Sequence, residues 1–143
     1  MSADRLYTPQ MLAAAVELAA YPPRPGAALH ARARAAACGS TLALDLDLDE
    51  GGNVAALGLR SHACAVGQAS AAVFARHVRQ RSRGEIVAAH AALRAWLAGE
   101  GALPDWPDLE LIAAARDYPG RHEAILLPWK AALDALSSPP AAR

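Results

Sequence analysis

The chain has no long apolar run, no excess of charge of either sign and very few cysteines. No apolar stretch reaches the roughly 20 residues that a membrane-spanning helix needs. The 14 basic residues are balanced by 14 acidic ones, so no long-range field attracts nucleic acid or an anionic membrane. We therefore expect neither nucleic acid nor a membrane among the partners.

Residues 1–10 contain no apolar segment, which predicts no signal peptide and a cytoplasmic location. The two cysteines, Cys38 and Cys64, are expected to be reduced thiols in that compartment. A chain of 143 residues can bury one core, and we find no repeat or linker. We predict a single domain over residues 1–136 and a disordered tail over 137–143.

The segment between the two cysteines predicts a β-hairpin. Leucines at every second position alternate with smaller or polar residues, which is typical of a half-buried strand whose leucines face a core; these leucines are Leu42, Leu44, Leu46 and Leu48. Gly51 and Gly52 lie in a turn and can adopt the positive φ that a tight reversal needs. Because Cys38 and Cys64 are almost symmetric about Gly51, the hairpin brings both thiols to the same end of the sheet.

Residues 27–36 predict an edge strand beside this hairpin. Five helices are predicted. The first begins at Pro9 and has Leu12 and Val16 on its apolar face, the second covers residues 65–80, and the third begins at Ser82, where Glu85 completes a capping box. The last two cover residues 108–116 and residues 121–136, and Pro128 bends or interrupts the final one. The fold class is therefore α+β, with a three-stranded antiparallel sheet packed by helices on one side. Asp45 and Asp47 are interpreted as a solvated face of the hairpin.

Two convergent thiolates are soft donors suited to zinc or to an iron–sulfur cluster. Cys64 opens a predicted helix, where the helix dipole favours an anion. The spacing is not a CxxC, however, and free cysteines often serve as small buried hydrophobic residues. These residues alone leave both interpretations open.

Longer motifs around both cysteines carry a family resemblance. Ala-Cys-Gly-Ser contains Cys38, His-Ala-Cys-Ala-Val-Gly-Gln-Ala-Ser-Ala contains Cys64, and a third segment runs from Pro119 to Trp129. Together they resemble the iron–sulfur scaffold family of IscU, SufU and the N-terminal domain of NifU. The resemblance implies the SufE/NifU-like fold and a function as a scaffold rather than an enzyme. It also implies that Cys38 and Cys64 hold a transient iron–sulfur cluster or zinc. The implied partners are a cysteine desulfurase and recipient apo-proteins.

Two positions depart from the family pattern. The family aspartate is Ser40, and the third family cysteine is Ala124. We expect both at an exposed rim. His122 is a candidate replacement ligand, which would complete a three-ligand site with one open position; it is equally compatible with a solvent-facing residue at a helix start.

Neighbouring residues with simpler interpretations are Glu123, an acid in the first turn of a helix, and His62, a histidine at a strand end. Two cysteines per chain leave a cluster bridged across a homodimer as one hypothesis. The alternative is an interaction module, metal-free or zinc-binding, that modulates a cysteine desulfurase.

Overall fold

The structure is a computed structural model that describes residues 6–137. Its elements, in chain order, are α1 (Pro9–Val16) with a 3₁₀ extension (Glu17–Ala20), β1 (Leu29–Arg34), β2 (Thr41–Leu48), β3 (Val54–His62), α2 (Ala65–His77), α3 (Arg83–Leu97), two 3₁₀ segments (Leu109–Asp117 and Pro119–Arg121) and α4 (His122–Ser137). The three strands form one antiparallel sheet in the order β1-β2-β3. The predicted α+β class is confirmed.

The hairpin of β2 and β3 has the predicted turn and nearly the predicted faces. In the turn, the Asp49 carboxylate accepts the backbone N–H groups of Gly51 and Asn53, and Gly52 has a φ of 83°. Leu44 and its alternating neighbours are buried as expected. Leu48 is 37% exposed, because a register shift between Asp47 and Leu48 interrupts the pairing at that point.

The helices α1 and α3 begin where the sequence predicts, but α1 buries a different face from the predicted one. The Thr8 hydroxyl caps α1 by accepting the Met11 N–H, and the reciprocal capping box of Ser82 and Glu85 opens α3. The predicted apolar face of α1 is wrong, since Leu12 and Val16 are 46% and 77% exposed. Met11 and Ala14 are the residues that α1 buries.

Two predicted helices near the C-terminus differ in detail. The segment expected as a short helix over residues 108–116 is the 3₁₀ segment Leu109–Asp117. The last helix, α4, runs without interruption through Pro128. It ends at Ser137, while the rest of the predicted tail, residues 138–143, lies outside the described residues.

Three aromatic rings fix α4 against α2. Phe74 and Trp106 stack with ring centroids 5.7 Å apart, and Trp129 meets each of them edge-on at 5.3 Å. The Trp106 indole N–H also donates to the carbonyl oxygen of Val73. Since all three rings are buried, this cluster sets where α4 begins relative to α2. Within residues 6–137, no helix is both long enough and apolar enough to cross a membrane.

Candidate functional site

Cys38 lies in a tight loop between β1 and β2. The loop is closed by backbone hydrogen bonds from Ala35 N to the Ser40 oxygen and from Gly39 N to the Ala35 oxygen, both 2.8 Å. Gly39 has a φ of 74°, which a residue with a side chain rarely adopts. The Cys38 thiol is exposed and free. It hydrogen-bonds the Ser40 hydroxyl, with Sγ and Oγ 3.1 Å apart.

Cys64 is the N-cap of α2. Its backbone is extended, its carbonyl accepts the first helical hydrogen bond from Gln68 N, and its side chain makes no capping bond. The thiol is therefore not used to satisfy the helix end, and it is free and partly exposed. Such an uncommitted thiol is available to bind a metal ion or to react with an electrophile.

The sheet register places both cysteines at the same end of the sheet. Thr41 pairs with His62, so Cys38 precedes this pair by three residues and Cys64 follows it by two. The prediction that the hairpin brings the two cysteines to one end agrees with this register. That the two sulfur atoms lie within a few ångströms of each other stays a prediction.

The first turn of α4 contacts both cysteine-bearing segments. The Glu123 carboxylate accepts the Ala36 N–H at 2.9 Å, within the Cys38 loop. On the other side, a Cβ built on Gly67, one turn into α2 from Cys64, would lie 3.3 Å from the Ala124 Cβ. Glu123 therefore also joins the start of α4 to the Cys38 loop. The sequence alone does not show this contact, because the two residues are far apart in the chain.

We expected both departing positions, Ser40 and Ala124, to lie at an exposed rim. This prediction is wrong. Ser40 is 5% exposed and Ala124 is 1% exposed. Ser40 is enclosed where β2 begins, and its hydroxyl is engaged with Cys38. Ala124 is enclosed because Gly67 lets α4 approach α2 closely. A metal-ligating side chain at either position would have to fit inside the packed interior.

The two histidines near the cysteines have different surroundings. His122 Nε2 donates to the carbonyl oxygen of Arg116 at 2.7 Å, which leaves Nδ1 as the only acceptor nitrogen of a neutral ring. His62 is exposed and lines a groove on the face of the sheet opposite the leucines. In the part of the chain that the structure describes, no group of three or more His, Cys, Asp or Glu side chains could hold a metal ion.

Asp45 and Asp47 are not simply a solvated face. Asp45 accepts the Arg24 N–H at 2.7 Å and is hydrogen-bonded by His30 at 2.6 Å. Asp47 accepts the Ala28 N–H at 2.9 Å. These carboxylates hold the proline-rich segment before β1 against the sheet, and the contact with Asp45 raises the pKa of His30 above its usual value.

The sheet order, the packed helices and the two free thiols define a small α+β domain with cysteines at one end of its sheet. The N-terminal domain of a nitrogen-fixing NifU-like protein from Brucella abortus has the same fold, with a TM-score of 0.85 and 30% identity over 93% of both chains. The chain belongs to the IscU/SufU/NifU family.

A more distant structure supports the fold alone. A candidate iron–sulfur cluster assembly scaffold protein of the SUF system from Fervidobacterium islandicum AW-1 superposes with a TM-score of 0.82 and 19% identity, over 95% of this chain and all of its own. No protein-family model matches the chain, and no curated protein matches it in sequence.

Proposed function

We propose that this protein is a cytoplasmic scaffold or carrier in iron–sulfur cluster assembly that binds its cargo through Cys38 and Cys64. Cargo here means an iron–sulfur cluster or, in its absence, zinc. The partners are a cysteine desulfurase and recipient apo-proteins. The observation that supports this function is the register that places both free thiols at one end of the sheet, beside the start of α4, in a chain similar to a NifU-like domain.

One chain does not supply a complete set of ligands. Ser40 offers a neutral hydroxyl and Ala124 a methyl group, and the described residues contain no three-ligand group. A cluster with four cysteine ligands therefore requires two chains, each contributing two thiolates. Loading should then convert the protein to a dimer, and a [2Fe–2S] cluster would bring one iron per chain.

The test is reconstitution of protein purified without oxygen, using ferrous iron and sulfide. Cys38→Ser and Cys64→Ser should each abolish the visible absorption of the cluster and the dimer seen on gel filtration. Ala37→Ser and Ala65→Ser are matched controls, because they add a hydroxyl beside each cysteine and keep the thiol. Equal iron binding in the cysteine variants and the controls would overturn the proposal.

A second candidate function is an interaction module, metal-free or zinc-binding, that modulates a cysteine desulfurase. Two observations favour it: the Ser40 hydroxyl is engaged with the Cys38 thiol, and Ala124 occupies the third family position as a buried methyl. In this case the protein changes the rate of a desulfurase, and Cys38→Ser with Cys64→Ser leaves that change intact. A scaffold function predicts that the same two substitutions remove it.

A further inference from the structure

The face of the sheet opposite the buried leucines carries a groove of about 670 Å³. Among the described residues that line it are three arginines, two histidines and one acidic residue. They are Arg32, Arg34, Arg60, His30, His62 and Asp45. On a chain whose formal net charge is zero, this is a local concentration of positive charge.

Three arginines form a compact group within this groove. Arg32 and Arg60 both pair with Ala43, from opposite sides, so their Cα atoms are about 10 Å apart, twice the spacing of neighbouring strands. Arg34 lies two residues along β1 from Arg32, which places it about 7 Å away on the same face. Three cations at these distances repel one another in the absence of an anion.

The described residues do not neutralise this group. Arg32, Arg34 and Arg60 make no ion pair or side-chain hydrogen bond with any residue in 6–137. The groove's one acid, Asp45, is already engaged by the Arg24 N–H and by His30. All three arginines are exposed, so their guanidinium groups are available to an incoming ligand.

We propose that this groove binds an extended acidic segment of a partner protein. In an extended chain, side chains on one face recur every two residues, about 7 Å apart, which is the spacing of Arg32 and Arg34. Carboxylates at such positions can form paired, charge-assisted hydrogen bonds with guanidinium groups. Arg60, two strands away, then contacts a carboxylate at the other side of the groove.

The shape and lining favour this ligand over other anions. Positive charge spread over about 10 Å suits several carboxylates better than one small anion. No Phe, Tyr or Trp of the described residues lines the groove, and stacking on these large rings is how proteins commonly hold unpaired nucleic-acid bases. Arg34 and His62 lie in the Thr41 row of the sheet, so a bound segment ends beside the cysteines. The proposal does not require metal binding.

The experiment measures fluorescence anisotropy of a labelled peptide of alternating glutamate and alanine against the full-length protein. Combined substitution of Arg32, Arg34 and Arg60 by Gln should weaken binding about tenfold, the order expected from losing three exposed ion pairs. Arg79, Arg83 and Arg94, three exposed arginines elsewhere, replaced by Gln form the matched control and should change affinity less than about twofold. Binding should also weaken at high salt.

Several results would overturn the proposal: no binding by the natural protein, equal weakening in the control variant, displacement of the peptide by an equal concentration of inorganic phosphate, or tighter binding of single-stranded DNA. The single variant Arg60→Gln guards against misfolding of the triple variant. It should fold as the natural protein does by circular dichroism and should bind the peptide more weakly than Arg79→Gln does.

Discussion

At the scale of single residues, Ala124 stands where the family resemblance implies a third cysteine ligand. Its methyl group is buried against Gly67, one turn from Cys64. A thiol at this position would therefore point toward the start of α2. Ala124→Cys should tighten zinc binding at least about tenfold, because it adds a third thiolate to two existing ones. Competition with a chelator at fixed pH measures the change.

The same substitution adds a sulfur atom to a packed contact. We expect it to lower the free energy of unfolding of the metal-free protein by about 1 kcal/mol, the low end of the cost of overpacking. Ala135→Cys is the matched control, since it makes the same change at a buried position of α4 three turns away. If both variants bind zinc equally, the start of α4 does not face the cysteines.

Ser40→Asp completes the family pattern at a second buried position. A carboxylate there is costly without a bound cation, because a buried charge needs a partner. The double variant with Ala124→Cys should therefore have a lower melting temperature than the natural protein when both are metal-free. Adding zinc should increase the melting temperature of the double variant more than that of the natural protein. Thermal unfolding with and without zinc tests this. An unchanged gain on adding zinc would contradict it.

At the scale of elements, the proline-rich segment before β1 depends on a glycine in β3. A Cβ on Gly58 would collide with the carbonyl oxygen of Pro22 and lie 2.8 Å from Arg24 N. Gly58→Ala should therefore displace this segment and lower the free energy of unfolding by about 1–3 kcal/mol, measured by urea titration.

Gly26→Ala is the control for this prediction. Gly26 lies in the same segment, and a Cβ added there meets nothing within 4 Å. It should leave stability unchanged or raise it slightly by restricting the unfolded chain. If the two glycine variants prove equally stable, the segment does not pack against β3 as described.

The junction between α4 and the Cys38 loop depends on Glu123. Its carboxylate accepts the Ala36 N–H, and Ala36 is exposed. In Glu123→Ala, water can satisfy that N–H, so we expect a stability loss of no more than about 1 kcal/mol. Hydrogen exchange at the Ala36 amide should become faster. Glu110→Ala, at another exposed acid, should leave that exchange rate unchanged; if it rises equally, the contact is not what protects the amide.

At the scale of the whole molecule, one network of charges joins the 3₁₀ extension of α1, the end of α2 and the segment after Trp106. Arg76 donates to Glu17 at 2.6 Å and to Asp108 at 3.1 Å, and His77 contacts Asp108 at 2.7 Å. The hydrogen bond from Arg76 lowers the pKa of Glu17 below its usual 4.5. The contact with His77, followed by that with Arg76, lowers the pKa of Asp108 below 3.8.

These shifts predict an acid-sensitive stability. A carboxyl group whose pKa is lower in the folded state stabilises the fold above its unfolded-state pKa, and this contribution is lost as pH falls through the folded-state value. Stability should therefore fall from about pH 5 downward. Arg76→Met should lower the stability at neutral pH and make the loss of stability at acid pH smaller. Arg79→Met, at an exposed arginine, should leave that acid-dependent loss unchanged. Urea titrations at several pH values decide, and parallel curves for the two variants would contradict the network's role.

The sequence by itself determined the parts of this protein that depend on local pattern. The alternating leucines specified β2, the glycine turn specified the hairpin, and the pairing of Ser82 with Glu85 specified the start of α3. Because a hairpin relates positions symmetrically about its turn, the same pattern placed Cys38 and Cys64 at one end of the sheet. The motifs around the cysteines were sufficient to indicate the family.

Tertiary structure decided which neighbour covers each face. Periodicity assigns residues to a face of a helix, but it does not say which face packs, so α1 buries Met11 and leaves Val16 exposed. In the same way, only the approach of α4 to α2 buries Ala124, and only the fold of the proline-rich segment gives Asp45 its partners. These contacts join residues far apart in the chain, and their geometry depends on the packing of the whole core rather than on any short stretch of sequence.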